Sequence, residues 1–186
     1  MKLIDATHVS EPGSTGSDWR VHYAINLPYL RCDELKVTDS KVGETFKNFS
    51  VSSESIFIGD RGYYNCPGIE YVTSRGGHVL VRMNLRNTQL YDRNGNRFDV
   101  LQRLRTLKGS TIEDWPAYIH GKQSKIHARI CAIKKSKIAA ETAVKKILKK
   151  NSKKQKKVKP ETLEAARYIF VLTTLPNDII KPEIVM

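Results

Sequence analysis

Ile56, Phe57 and Ile58 run without a polar interruption into Gly59-Asp60-Arg61-Gly62-Tyr63, and this stretch constrains the chain more than any other. Three consecutive β-branched or aromatic residues read as a short buried strand. A buried strand that closes on Gly-Asp-x-Gly presents a carboxylate at the carboxyl edge of a sheet, where open α/β sheets hold their ligands. The flanking glycines permit tight backbone geometry and close approach of a partner. An Asp at such a point also serves as the cap of the turn that follows. A second stretch repeats the form: Lys2-Leu3-Ile4-Asp5-Ala6-Thr7-His8-Val9 is an apolar strand with one carboxylate embedded in it.

The intervening chain supplies the elements of an α/β domain. Trp19, Val21, Tyr23, Ile25 and Leu27 alternate with Arg20, His22 and Asn26, which predicts a half-buried strand with its apolar side inward, ended by Pro28. Residues 32–38 read as a third strand and residues 43–49 as a short helix. Residues 67–75 fit a helix with Pro67 in its first turn and Gly76-Gly77 at its end. Residues 78–83 are a further strand. Three strands, a helix, a strand, a helix and a strand imply a mixed sheet.

Beyond Asn84 the texture changes. Residues 89–91 and 97–100 read as the arms of a β-hairpin around Asn94-Gly95. Asp92, Asn94 and Asn96 resemble the start of a calcium loop but lack its glycine and distal glutamate. Two strands are expected at 111–120 and 125–133, then a basic amphipathic helix over 136–150 carrying Ile138, Val144, Ile147 and Leu148. A lysine-rich loop leads to a helix at 160–167 and a buried strand at 168–175. No clear closing element follows it.

Charge points to the partner. The chain of 186 residues carries 32 Lys and Arg against 19 Asp and Glu, a net charge of +13. Residues 134–159 hold twelve lysines and one acid, Glu141, so the body is nearly neutral and the arm is strongly basic. Such an excess implies a polyanion, most often nucleic acid, and Lys145, Lys149, Lys153 and Lys156 are candidate DNA contacts. A solvated helix face is the plainer use of a charge run. No run approaches the length that crosses a bilayer, and no basic-then-apolar leader opens the sequence, so a cytoplasmic, nucleoid-associated protein is expected. Cys32, Cys66 and Cys131 are odd in number and widely spaced, as ordinary reduced thiols are.

Fifty-five positions separate Asp5 from Asp60. In a ribonuclease H-like arrangement three strands form an antiparallel meander and the fourth returns beside the first, parallel to it. That pairing would bring the two carboxylates together. Two bare carboxylates repel unless one is protonated or a cation neutralises both. Mg²⁺ suits such a pair, since it takes one or two protein carboxylates plus phosphate oxygens. A pair of such ions forms the clamp of phosphoryl transfer.

The Ile4-Asp5-Ala6-Thr7 strand, the Ser14-to-Arg20 loop, the Gly59-Asp60-Arg61-Gly62-Tyr63 strand end and the strand running from Tyr168 to Pro176 together resemble the DDE transposases of bacterial insertion sequences. The resemblance implies a ribonuclease H-like core formed by residues 1–83, a mainly β insertion over 84–159 with its basic arm, and a return to the core over 160–186. It implies DNA cleavage and strand transfer with Mg²⁺ or Mn²⁺, double-stranded transposon ends as partner, and a homodimer in the full-length form. Asp5 and Asp60 match the first two acids of the triad and are the expected metal ligands. The family's third acid follows in a Tyr, Arg, Glu, Lys pattern on a later helix, which these residues do not contain. Glu183 lacks the preceding Tyr and Arg and is not assigned. The DNA-end-binding region expected before Asp5 is missing as well. The chain is therefore expected to be an internal piece of a transposase, inactive alone; a non-catalytic nucleic-acid-binding remnant using the lysine arm is the alternative.

Arg61 is placed to hold a DNA phosphate or to form a salt bridge within the fold. Trp115, beside Pro116, reads as a core residue rather than a stacking platform for an extruded base. His8, His22, His78, His120 and His127 show no mutual metal spacing.

Overall fold

The computed structural model describes residues 1–153 and 155–186, so Lys154, one of the arm lysines, lies outside the described residues. Among the described residues nine strands form a single sheet in the order β3-β2-β1-β4-β5-β9-β8-β7-β6. β1 (Lys2–Val9), β2 (Trp19–Asn26) and β3 (Arg31–Asp39) make an antiparallel meander. β4 (Ile56–Gly59) returns parallel to β1, and β5 (His78–Arg82) lies parallel to β4. The fold is therefore mixed α/β, as the element order implies.

Local chemistry explains the crossover between β4 and β5. Helix α1 (Cys66–Thr73) begins at Asn65, whose Oδ1 accepts a 2.9 Å bond from the Gly68 amide, and carries Pro67 in its first turn. It ends where Gly76 takes φ +75, the left-handed conformation a glycine adopts without a Cβ penalty. Against this face of the sheet pack Phe46 and Phe49, from a 3-10 turn over Phe46–Asn48 and its C-cap. Phe57 and Tyr63 complete an aromatic cluster, with the Phe46 and Tyr63 rings 5.5 Å apart. This cluster fixes the backbone on which Asp60 stands.

The β2 alternation is present with its faces reversed from expectation. His22 and Ala24 are fully buried, whereas Trp19 is 47 % exposed. The Phe46–Asn48 turn covers the His22 side and bonds to it: Asn48 Nδ2 lies 3.2 Å from His22 Nδ1, and His22 Nε2 lies 3.0 Å from Thr38 Oγ1. The periodicity distinguishes two faces but not which one the rest of the chain covers.

The stretch after β5 extends the same sheet through β9 (Tyr168–Thr173), which pairs with β5 on one side and β8 (Lys125–Lys134) on the other. β7 (Glu113–His120) and the two-residue β6 (Leu90–Tyr91) follow. The expected 89–100 hairpin forms in short: Tyr91 and Arg97 make an antiparallel bridge, Phe98 N donates to Leu90 O at 2.8 Å, Gly95 takes φ +84 in the turn, and Asp92 Oδ1 accepts from the Asn94 and Asn96 amides. Its second arm becomes the N-terminus of α2 (Val100–Arg105), capped by Asp99 Oδ1 accepting from Gln102 N at 3.0 Å. That capping bond and the burial of Leu104 outweigh the β propensity of Phe98 and Val100.

The basic helix α3 (Lys137–Ser152) is present, with Val144 and Ile147 half-buried; Ile138 is 79 % exposed and Leu148 is also exposed, so its apolar stripe is narrower than expected. α4 (Pro160–Ala165) leads into β9. A closing element exists after all: α5 (Pro182–Val185) places Val185 against Cys131 and Val171. Arg129 ties this end down, its Nε donating to Leu175 O at 2.7 Å, its Nη1 to Asp114 Oδ2 at 2.8 Å and its Nη2 to Ile180 O.

Candidate functional site

Parallel pairing of β1 with β4 matches Lys2 to Phe57 and Leu3 to Ile58. Both pairs are 55 positions apart, the spacing that also separates Asp5 from Asp60. Asp5 is exposed on β1, and Asp60 is exposed one residue past the end of β4. Both are partly tied. Asp5 Oδ1 accepts from the Ala6 amide at 2.8 Å and Oδ2 from the Tyr23 hydroxyl at 3.2 Å. Asp60 Oδ1 accepts from the Gly62 amide at 2.7 Å, so the turn-capping role coexists with any other.

Sequence reasoning missed a third acid here. Glu44, half-buried just ahead of the 3-10 turn, lies against Gly62: a Cβ built on that glycine would overlap Glu44 Oε2 and stand 3.2 Å from Asp60 Oδ1. Burial, reinforced by the neighbouring Asp60 carboxylate, pushes the Glu44 carboxyl above its ordinary range. Tyr63, also buried, has its phenol pushed up by burial first and then by the charges of Glu44, Asp5 and Asp60. Among the described residues no Lys, Arg or His nitrogen lies within ion-pair distance of these three carboxylates. No three His, Cys, Asp or Glu side chains among the described residues are grouped closely enough to hold a metal ion.

Cations gather beside the acids rather than on them. β4 and β5 pair Gly59 with Val81, so Asp60 and Arg82 are the next residues on adjoining strands. Arg61 is exposed and makes no salt bridge among the described residues; partial burial, then the Arg82 charge, depresses its guanidinium. Lys135, whose Nζ donates to Ala166 O at 2.7 Å, is depressed by burial and by both arginines. Arg61, Arg86, Met83, Leu85, Ile147 and Phe170 line a cavity of about 280 Å³. Ile147 brings the basic helix to that cavity. Lys145 and Lys149 lie on α3, Lys153 caps it and Lys156 follows in irregular chain, each of them exposed.

The remaining candidates take structural positions. Trp115 packs against Phe98 with ring centroids 6.5 Å apart. His120 stacks on Tyr91 at 3.9 Å, and His78 Nδ1 lies 3.1 Å from Thr174 O. Glu44, Tyr23, Arg82 and Lys135 carry no motif of their own. Strand pairing brings Tyr23 and Arg82 beside the acids, the connector ahead of the 3-10 turn packs Glu44 against Gly62, and Lys135 joins Arg61 and Arg82, so no local pattern could have marked them.

Comparison with known proteins gives the site its context. The chain is similar to the transposase for insertion sequence element IS421 of Escherichia coli, 28 % identical over 184 residues, which cover 96 % of this chain and 50 % of that protein. InsL, named for a transposase of insertion sequence element IS186A of Escherichia coli (strain K12), is similar to the same extent, 28 % identical over 96 % of this chain and 50 % of its own length. The chain thus spans about half the length of the curated relatives it matches. No family model and no solved structure matches it.

Proposed function

We propose that this chain is the portion of a DDE-type DNA transposase that carries the first two acids of its catalytic site, Asp5 and Asp60, on a ribonuclease H-like core. The observation that supports the reading most is the β1–β4 register: matching Lys2 to Phe57 and Leu3 to Ile58, it runs toward Asp5 on β1 and Asp60 one residue past β4, and no cation lies within ion-pair distance of either among the described residues. The antiparallel meander with β4 returning beside β1 supports the core assignment. Similarity to the IS421 and IS186A transposases supports DNA as substrate.

The donor set fits a hard divalent ion. Two carboxylates offer oxygen ligands alone, the choice of Mg²⁺ or Mn²⁺, and phosphate oxygens complete such a shell. When bound, the ion supplies activation of the attacking oxygen and stabilisation of the leaving one. The chain's own residues do the rest. The Tyr23 hydroxyl and the Ala6 amide orient Asp5, and the Gly62 amide orients Asp60. Arg61, with Arg82 and Lys135 beside it, offers positive charge to the incoming DNA backbone, and the lysines of α3 extend that charge. Double-stranded transposon ends are the proposed partner, with a nucleoid-associated location and a homodimer in the full-length protein. No described helix is long and apolar enough to cross a membrane.

The third acid is proposed to lie outside these 186 residues, so the chain by itself binds DNA without cutting it. A non-catalytic role, favoured by the twelve-lysine arm, predicts DNA binding too but no metal site. Fe²⁺ in place of Mg²⁺, with ascorbate and peroxide, cleaves a polypeptide next to its metal ligands and separates the two readings. The expected fragments end near residues 5 and 60 and vanish in Asp60→Asn. Uniform cleavage, or none, would leave only the binding role. Mg²⁺-dependent nicking of linear DNA by this chain, abolished in Asp60→Ala, would refute the proposed inactivity.

A further inference from the structure

We infer that Glu44 is a third carboxylate of the cation site, a latch that swings onto the ion held by Asp5 and Asp60; the inference rests on the function just proposed. Glu44 and Asp60 flank the same glycine, Gly62, whose missing side chain is what makes room for the Glu44 carboxylate. The three acids differ in how they are held. Asp5 and Asp60 are each fixed by hydrogen bonds, two and one respectively, whereas no described group donates to Glu44. A half-buried carboxylate without a hydrogen-bond donor or an ion-pair partner, facing Asp60 and Asp5 and only partly offset by Arg20 and His8 beyond ion-pair distance, is held above its ordinary range. A hard divalent ion removes both penalties at once.

Acids alone do not make a site, and Tyr63 supplies the independent sign. Its ring is 0 % exposed and its hydroxyl has no hydrogen-bond partner among the described residues. Beyond burial, the charges that act on it are Glu44, Asp5 and Asp60, with Tyr23 after them. A buried hydroxyl without an acceptor is costly. Water carried in by a hydrated cation between these carboxylates would supply a partner, its O–H donating to the Tyr63 oxygen. The three carboxylates are not grouped closely enough as they stand, and Glu44, the longer side chain and the one without a donor, is the one free to move.

Mn²⁺ titrated calorimetrically into the full 186-residue chain tests the inference, together with thermal unfolding in EDTA and in Mn²⁺. Glu44→Gln is expected to weaken Mn²⁺ binding at least tenfold, to raise the unfolding temperature in EDTA by relieving like-charge repulsion, and to shrink the stabilisation that Mn²⁺ confers. Glu113→Gln, on the distant β7, is expected to change none of these. Glu44→Asp keeps the charge but shortens the reach, and its expected affinity lies between the two; it stands in should the Gln variant not fold. Mn²⁺ affinity unchanged in Glu44→Gln, but lost in Asp5→Asn and Asp60→Asn, overturns the role of Glu44 alone. Binding indifferent to all three substitutions overturns the proposed function with it.

Discussion

Replacing Arg129 with Met tests how the far half of the sheet is held together. Arg129 and Asp114 side chains are only 8 % and 15 % exposed and meet at 2.8 Å. Removing the cation leaves the Asp114 carboxylate buried and unpaired, which costs about 3–5 kcal/mol in comparable pairs. The Leu175 and Ile180 carbonyls lose their donor as well, and each orphaned group costs about 1–3 kcal/mol if water does not replace the bond. The Leu175 bond is buried and the Ile180 bond part-buried, so water offsets some of that second loss at Ile180 and little at Leu175. A net loss of about 3–5 kcal/mol is expected, a fall of roughly 6–20 °C in Tm for a chain of this size. Urea titration followed by circular dichroism gives the free energy directly. The double variant Arg129→Met with Asp114→Leu removes the stranded charge and is expected to recover about 1–4 kcal/mol of the loss. It is not expected to recover all of it, because the two carbonyls remain unserved. A loss below about 1 kcal/mol in Arg129→Met would refute the reasoning.

Three further outcomes are expected. His22 is held neutral by burial, with Arg20 and Lys36 adding to the effect, so the unfolded chain binds the extra proton. Stability should therefore be full above the ordinary histidine value of about 6.5 and decline as pH falls below it, and thermal unfolding of His22→Gln between pH 5 and 8 should lack that decline. Changing Lys145, Lys149, Lys153 and Lys156 to Gln should flatten the slope of log K for duplex DNA against log salt by about 0.9 for each phosphate no longer neutralised; an unchanged slope would assign these lysines to a solvated face. Burial pushes the Cys131 thiol up to about 12, whereas Cys32 is exposed. A thiol reagent at pH 8 should modify Cys32 promptly and reach Cys131 only on unfolding.

The strands were legible where burial is two-sided. Ile56 to Ile58, residues 78–83 and the run from Tyr168 are apolar on consecutive positions, and each forms a central strand. Residues 111–120 and 125–133 were legible as strands too, although nothing local shows that they extend the same sheet past β9. α1 was marked by Pro67 and the glycine pair. β2 was misjudged because an alternating strand offers two sides, and the 3-10 turn, with Asn48 26 residues on, covers the His22 side. α2 was hidden because Phe98, Asp99 and Val100 suit a strand as well as a capped helix. At the site, Asp5 and Asp60 stood out because a lone acid in an apolar run is unusual. Glu44 had no such contrast, sitting in a polar connector, and Arg82 and Lys135 read as strand-end charges. Glu44 reaches the acids because its connector packs against Gly62, and Arg82 because β5 pairs beside β4; composition and spacing encode neither.

Asp5 and Asp60 holding one ion between them is the claim on which the account stands. Electron paramagnetic resonance of free Mn²⁺, titrated against the protein at low salt without DNA, measures it. The account predicts a saturable site in the native chain whose affinity falls at least tenfold in Asp5→Asn and again in Asp60→Asn, with the double variant no worse than the weaker single one. Equal Mn²⁺ uptake by the native chain and both variants would contradict it.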